Sequence, residues 1–210
     1  MTSLVDEIVS YKEWRIRELE QLKKLDITVF RQLNNNVNEQ FLRMSVPYIY
    51  AHWEGFVVET FKLLIDYINS LKLDKMTIRN ELVTFSNLGR IKPLSGKQSF
   101  EQCCQFTINF TESFNTFFYI DTTLFSAKSN MNFKQLQCIF EWFGIDITKF
   151  KKYEIYINQL VNQRNRIAHG ENGILVEYRH LEKYIEILQE FFDKIILLID
   201  EYINKMLYLK

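Results

Sequence analysis

The chain has 210 residues, 47% of them hydrophobic, which suits one large domain or two small ones and supplies ample material for a core. Its 26 basic and 26 acidic side chains leave a net charge of zero, excluding a global field as the means of holding a polyanion, so any nucleic-acid contact has to be local. Only six glycines and two prolines favour long helices over a sheet.

Residues 3–33 carry a charged amphipathic helix. Leu4, Ile8, Tyr11, Arg15, Leu19, Leu22, Leu25 and Val29 keep its beat. Ser3 with Asp6 forms a capping-box pattern at its start, and Asn34, Asn35 and Asn36 break it. Residues 38–71 form the most apolar helix, in which Pro47 marks a kink or a fresh start. Across residues 44–58 the sole formal charge is Glu54. A lone carboxylate among apolar neighbours needs a partner. The plainer reading makes Glu54 a structural ion pair or an edge position. The sharper one has it hold Arg164 or Arg166 within ion-pair reach.

Residues 77–85 read as a short helix and 88–96 as a loop. Residues 98–127 contain no Lys or Arg and three acids. Phe106, Phe110, Phe114 and Phe118 recur there at every fourth position, a broad aromatic stripe on a helix. Core packing is the expectation, a subunit interface the alternative. Cys103, Cys104 and Cys138 fit neither a disulfide framework nor a zinc site and read as buried apolar residues of a reducing compartment. Asn132 caps a short helix through Trp142, and Gly144 stops it.

A further helix covers 149–168, and the last and clearest one covers 177–207, where Leu181, Tyr184, Ile185, Leu188, Phe192, Ile195, Ile199, Tyr202, Ile203 and Met206 keep the beat. The two pair as an antiparallel hairpin. Asp6, Glu7, Lys12 and Glu13 interrupt any signal-peptide run. No apolar stretch is long enough to span a bilayer. No membrane is expected, and the cytoplasm is the default location.

Chemistry concentrates at residues 160–171. Ile157, Leu160, Val161 and Ala168 define a buried face, and Arg164 lies on it, costly unless paired. His169 falls at the helix end, with Gly170 able to close it. Residues 148–180 hold six Lys or Arg against three acids, a local basic bias. Arginine matches phosphate geometry and keeps its charge; histidine, with an ordinary pKa near neutrality, moves protons. From spacing alone a structural account is open: His169 caps carbonyls, and Arg164 pairs with Glu54. His52 reads as a satisfied core histidine and His180 as a surface residue. No metal cluster, Gly-rich phosphate loop or other hydrolase motif is present, and no cofactor is expected.

The pattern Arg164-Asn165-x-x-x-His169 resembles the active motif of HEPN-domain nucleases, an all-helical group. Tyr50-Ala51-His52-Trp53-Glu54-Gly55-Phe56 is similar to the early helix of its MAE-type bacterial branch. Ser129-Asn130-Met131, leading to Phe143-Gly144-Ile145-Asp146, is similar in the same branch. The resemblance implies an all-α, HEPN-like bundle of long antiparallel helices over residues 1–210 as one domain. It implies a metal-independent endoribonuclease, a toxin or phage-defence effector, cleaving RNA by 2′-hydroxyl attack. Arg164, Asn165 and His169 match the family motif; Arg166 does not, and stays with Glu54 as a supporting residue. The implied partners are RNA, a second copy completing a composite site, and an antitoxin protein. The alternative is a non-catalytic module on the same fold that binds RNA, a nucleotide or a protein.

Overall fold

The computed structural model describes residues 3–28, 35–91, 96–125 and 130–210. These form α1 (Leu4–Thr28), α2 (Asn35–Ser70), α3 (Asn80–Ser86), α4 (Leu88–Ile91), α5 (Phe100–Ser113), α6 (Phe133–Phe143), α7 (Glu154–Ala168) and α8 (Tyr178–Asn204), with 3-10 turns at Thr122–Phe125 and Thr148–Tyr153. The all-helical expectation holds: among the described residues the extended pairings are two isolated bridges, Asp74 with Phe117 and Ile78 with Leu209. No helix among them is long and apolar enough to cross a membrane.

Four long helices set the frame. Lys12 pairs with Asp193, and Glu20 accepts from Gln189, so α1 and α8 run antiparallel. Glu18 meets Tyr48 and His52, so α1 also opposes α2. Trp53 packs edge-on against Phe191 at 4.7 Å and Phe56 stacks on Phe192 at 3.9 Å, which sets α2 parallel to α8. Tyr184 donates to Gln163, and Lys152 pairs with Glu190, so α7 returns against α8 as the sequence pattern predicts. One core cluster joins side chains from α1, α2, α3, α6, α7 and α8. The shorter α6 closes one flank, with Phe140 and Phe143 beside Phe61 and Trp142 stacked on Phe85 at 4.4 Å.

Local signals explain several boundaries. Ser3 and Asp6 exchange the reciprocal bonds of a capping box. Asn132 caps α6, and Gly144 at φ 61° ends it in the left-handed conformation. Pro47 neither ends nor restarts a helix: α2 runs through it. Its missing N–H costs one helical bond, which the tertiary packing of a 36-residue helix absorbs. The sequence loop at 88–96 begins with the short α4, and the 149–168 helix begins as a 3-10 turn. Val29 and Asn34, with the break placed there, lie outside the described residues, as do Pro93, Ser95 and Ser129.

The aromatic stripe corrects an expectation. α5 buries no residue. Phe106 stacks on Phe110, and Phe110 meets Phe114 edge-on, but these rings pack on one another and not on the core cluster. Phe100 is 85% exposed, and Cys103 and Cys104 are exposed too, with Cys138 half-buried. The four-residue beat outlasts the helix, which ends at Ser113, where buried Lys75 reaches the Ser113 carbonyl and the Thr116 hydroxyl. Phe118 alone of the four enters the core, through the chain that follows, where its N–H donates to the Leu73 carbonyl.

His52 is buried as expected, against Trp14 and Tyr48, with Nε2 3.4 Å from Glu18. It is only partly satisfied, because Nδ1 has no partner among the described residues. Beside it Arg15 is buried over the Trp14 ring, and a Cβ on Gly55 would lie 2.8 Å from its guanidinium. Glycine at 55 is what lets that cation lie on α2.

Two measurements follow from this packing. Phe56→Ala should cost about 3–5 kcal/mol of stability, and Phe106→Ala less than about 1 kcal/mol, by denaturant unfolding. Burial first, then the Arg15 charge, lowers the His52 pKa from 6.5, against the raising effect of Glu18. The unfolded chain therefore takes up this proton first. The His52 contribution is fully present above about pH 6.5 and is lost as pH falls toward the lower folded pKa. Melting temperatures across that window should fall for the wild type and flatten in His52→Gln.

Candidate functional site

Of the predicted site residues, Arg164 and Asn165 come together where α7 crosses α2, while Glu54, Arg166 and His169 make no direct side-chain contact with Arg164 among the described residues. Arg43 and Tyr50, seven positions apart on α2, share one face. Arg43 Nη1 and Nη2 donate to the carbonyls of Asn172 and Glu171 at 2.9 and 2.6 Å. The Arg164 guanidinium lies over the Tyr50 ring, 4.5 Å from its centroid. These contacts fix α7 antiparallel to α2 and pin the turn beyond the motif.

Arg164 is half-buried. Its Nη1 donates twice, to Asn130 Oδ1 at 3.1 Å and to Asn165 Oδ1 at 2.8 Å. Among the described residues its partners are thus two amide oxygens and a ring face, all uncharged. Its Nη2 and Nε make no protein bond there and are not sealed from solvent. One edge of a planar cation is held, and the other is open.

Glu54 does not pair with Arg164 or Arg166. The half-buried carboxylate instead accepts the Tyr50 hydroxyl at 3.0 Å, so it reaches Arg164 only through that phenol. The reason is local: Tyr50 lies one helical turn before Glu54 and supplies a donor without a second charge. The same hydroxyl accepts the Met131 N–H at 2.8 Å, and the indole N–H of Trp53 donates to the Met131 carbonyl at 2.7 Å. Burial, the largest cause, pushes the Tyr50 phenol up to about 12, so it stays neutral and serves both neighbours.

Arg166 points away from Arg164 and pairs with Glu171 at 2.6 Å, both side chains about half exposed. The pair closes a Schellman turn. The Glu171 N–H donates to the Arg166 carbonyl, and the Gly170 N–H to that of Ile167. Gly170 takes φ 78° to allow it. α7 accordingly ends at Ala168, leaving His169 as an exposed cap residue whose N–H still makes the helical bond to Asn165, so its side chain is not brought onto the Arg164 face. Ala168 corrects another expectation: it is exposed, because the buried face ends about two turns earlier, with Leu160 and Val161. Asn165 links the motif, its side chain accepting from Arg164 and its carbonyl from the His169 N–H at 2.9 Å.

Sequence reasoning missed Arg43, Tyr50 and Asn130 as members of this site. Asn130 carried a signal in its resemblance but no role. Among the described residues no group of His, Cys, Asp and Glu is arranged to hold a metal ion.

Gly170→Ala should cost about 1 kcal/mol through the left-handed backbone alone, since a Cβ there meets nothing within 4 Å. Gly173→Ala, equally open but without the positive φ, should be near neutral. Thermal melts of the two variants compare them directly.

Comparison with protein-family models matches residues 10–201 to the one described as RiboL-PSP-HEPN. The match names that model and does not speak to the MAE-type branch. No curated protein and no solved structure matches.

Proposed function

The chain belongs to the RiboL-PSP-HEPN family, and from that premise we propose that residues 1–210 form one HEPN domain acting as a metal-independent endoribonuclease. The observation that carries this reading is the charge state around Arg164. A half-buried guanidinium normally finds a carboxylate. This one is held by neutral groups on one edge and keeps the other free, which suits the bidentate recognition of a phosphate.

In this reading a neutral His169 takes the ribose 2′-hydroxyl proton, and the 2′-oxygen attacks phosphorus. Arg164 neutralises the charge gathering on the phosphorane. A protonated histidine delivers its proton to the departing 5′-oxygen as the P–O5′ bond breaks. The products are a 2′,3′-cyclic phosphate and a 5′-hydroxyl. Asn165 holds Arg164 in place. Glu54 supports through Tyr50, and Arg166 shapes the turn that presents His169.

One His169 cannot be base and acid in the same step. Two copies facing across a two-fold axis supply the second histidine, and the exposure of His169 leaves it accessible to such a partner. A toxin or phage-defence role, restrained by an antitoxin protein in the cytoplasm, fits an enzyme of this kind.

Cleavage of labelled RNA in excess EDTA is the test. The wild type should cut, and DNA, lacking the 2′-hydroxyl, should survive. His169→Ala should lose on the order of 10²–10⁴-fold in rate. Arg164→Lys should do little better than Arg164→Ala, because an ammonium cannot fork. Sedimentation should give about twice the 25.4 kDa chain mass. Loss of cleavage in EDTA, or full activity in His169→Ala, removes the mechanism. Binding without cleavage by all variants moves the assignment to an RNA-binding module.

A further inference from the structure

Asn130 holds an unusual backbone. Its φ is 116°, a region where glycine is relaxed and a side chain is strained. The strain is held in place from α2, because Tyr50 and Trp53 take both backbone groups of the next residue, Met131. The carboxamide retained at this strained position does one thing among the described contacts: its Oδ1 accepts from Arg164. Glycine would relieve the backbone. Aspartate would offer an acceptor oxygen of the same reach and hold Arg164 more strongly, through a charge-assisted bond. Asparagine instead gives an anchor that does not neutralise what it anchors. Tyr50 adds a second, again without charge, since its ring supports the guanidinium face while its hydroxyl is engaged elsewhere.

We propose that Asn130 and Tyr50 are positioning residues that form an uncharged cradle, fixing Arg164 while leaving its positive charge unspent for an RNA phosphate. The chemistry rests on the ribonuclease reading above; the cradle itself rests on the contacts.

Three proteins are compared: wild type, Asn130→Asp and Asn130→Gly. Each is melted, tested for binding to a fluorescent RNA methylated at every 2′-oxygen, and tested for cleavage of the same RNA with free riboses. Asn130→Asp should melt at or above the wild-type temperature and bind the methylated RNA on the order of tenfold more weakly, with a shallower salt dependence, as one phosphate contact is lost. Asn130→Gly should also keep its melting temperature, because the strain is relieved. It should bind within about threefold of wild type, with kcat falling on the order of 10–100-fold as Arg164 loses one anchor.

A merely structural asparagine would move melting temperature and leave the split between binding and kcat unmoved. Asn130→Asp binding as tightly as wild type overturns the proposal, as does Asn130→Gly cutting at the wild-type rate. A wild type that binds the methylated RNA but cuts no free-ribose RNA removes the ribonuclease reading alone; the cradle then stands or falls on the binding lost in Asn130→Asp. A wild type that binds neither RNA overturns both.

Discussion

Taking a guanidinium half out of water without an acid beside it is costly, and the surroundings of Arg164 reduce that cost without adding a negative charge. A ring face attracts the cation through its quadrupole, and two amide oxygens accept its hydrogens. Each contact is weaker than a carboxylate would be. Together they localise the group and keep its field directed outward. The nearest acid in the network, Glu54, is separated from it by the Tyr50 phenol, which spends the carboxylate on a hydroxyl.

That arrangement is carried by one stretch of α2. Tyr50 lies under Arg164, and Trp53 holds the Met131 carbonyl. His52 faces α1 through Glu18 and Trp14, and Gly55 makes room for Arg15. Phe56 stacks on α8. Five residues within one seven-residue stretch thus touch each of the other long helices and the segment before α6. A shift of α2 would move the ring, the Asn130 backbone and the turn clamped by Arg43 together. The site's precision therefore comes from the core and not from the exposed turn that carries His169.

The long helices were legible because their apolar periodicity is the same quantity that packing buries: the predicted beat of α8 matches its buried face from Leu181 to Tyr202. The Arg164–His169 region stands out by residue chemistry, and the family match agrees with the resemblance to HEPN domains. What the sequence could not carry were contacts between distant segments. Nothing near Asn130 announces that Arg164 is its partner 34 positions on. The rule that a lone carboxylate seeks a cation failed for Glu54, because a phenol one turn away met the need. The phenylalanine stripe failed for another reason. Periodicity reports that a helix has an apolar face but not which body covers it, and the aromatic face of α5 is no more than half-buried. Ala168 continued a pattern about two turns past Val161, the last buried residue of α7.

The central claim is that Arg164 presents an uncompensated charge to a phosphate. The direct measurement follows the side-chain nitrogen resonances of labelled arginines as inorganic phosphate, and then an oligonucleotide methylated at its 2′-oxygens, is added. The account predicts that the Arg164 Nε and Nη2 signals move on titration, while those of Arg15, buried against α2, and Arg166, paired with Glu171, stay in place. Arg164 signals that stay still while oligonucleotide binding perturbs other arginines would contradict it.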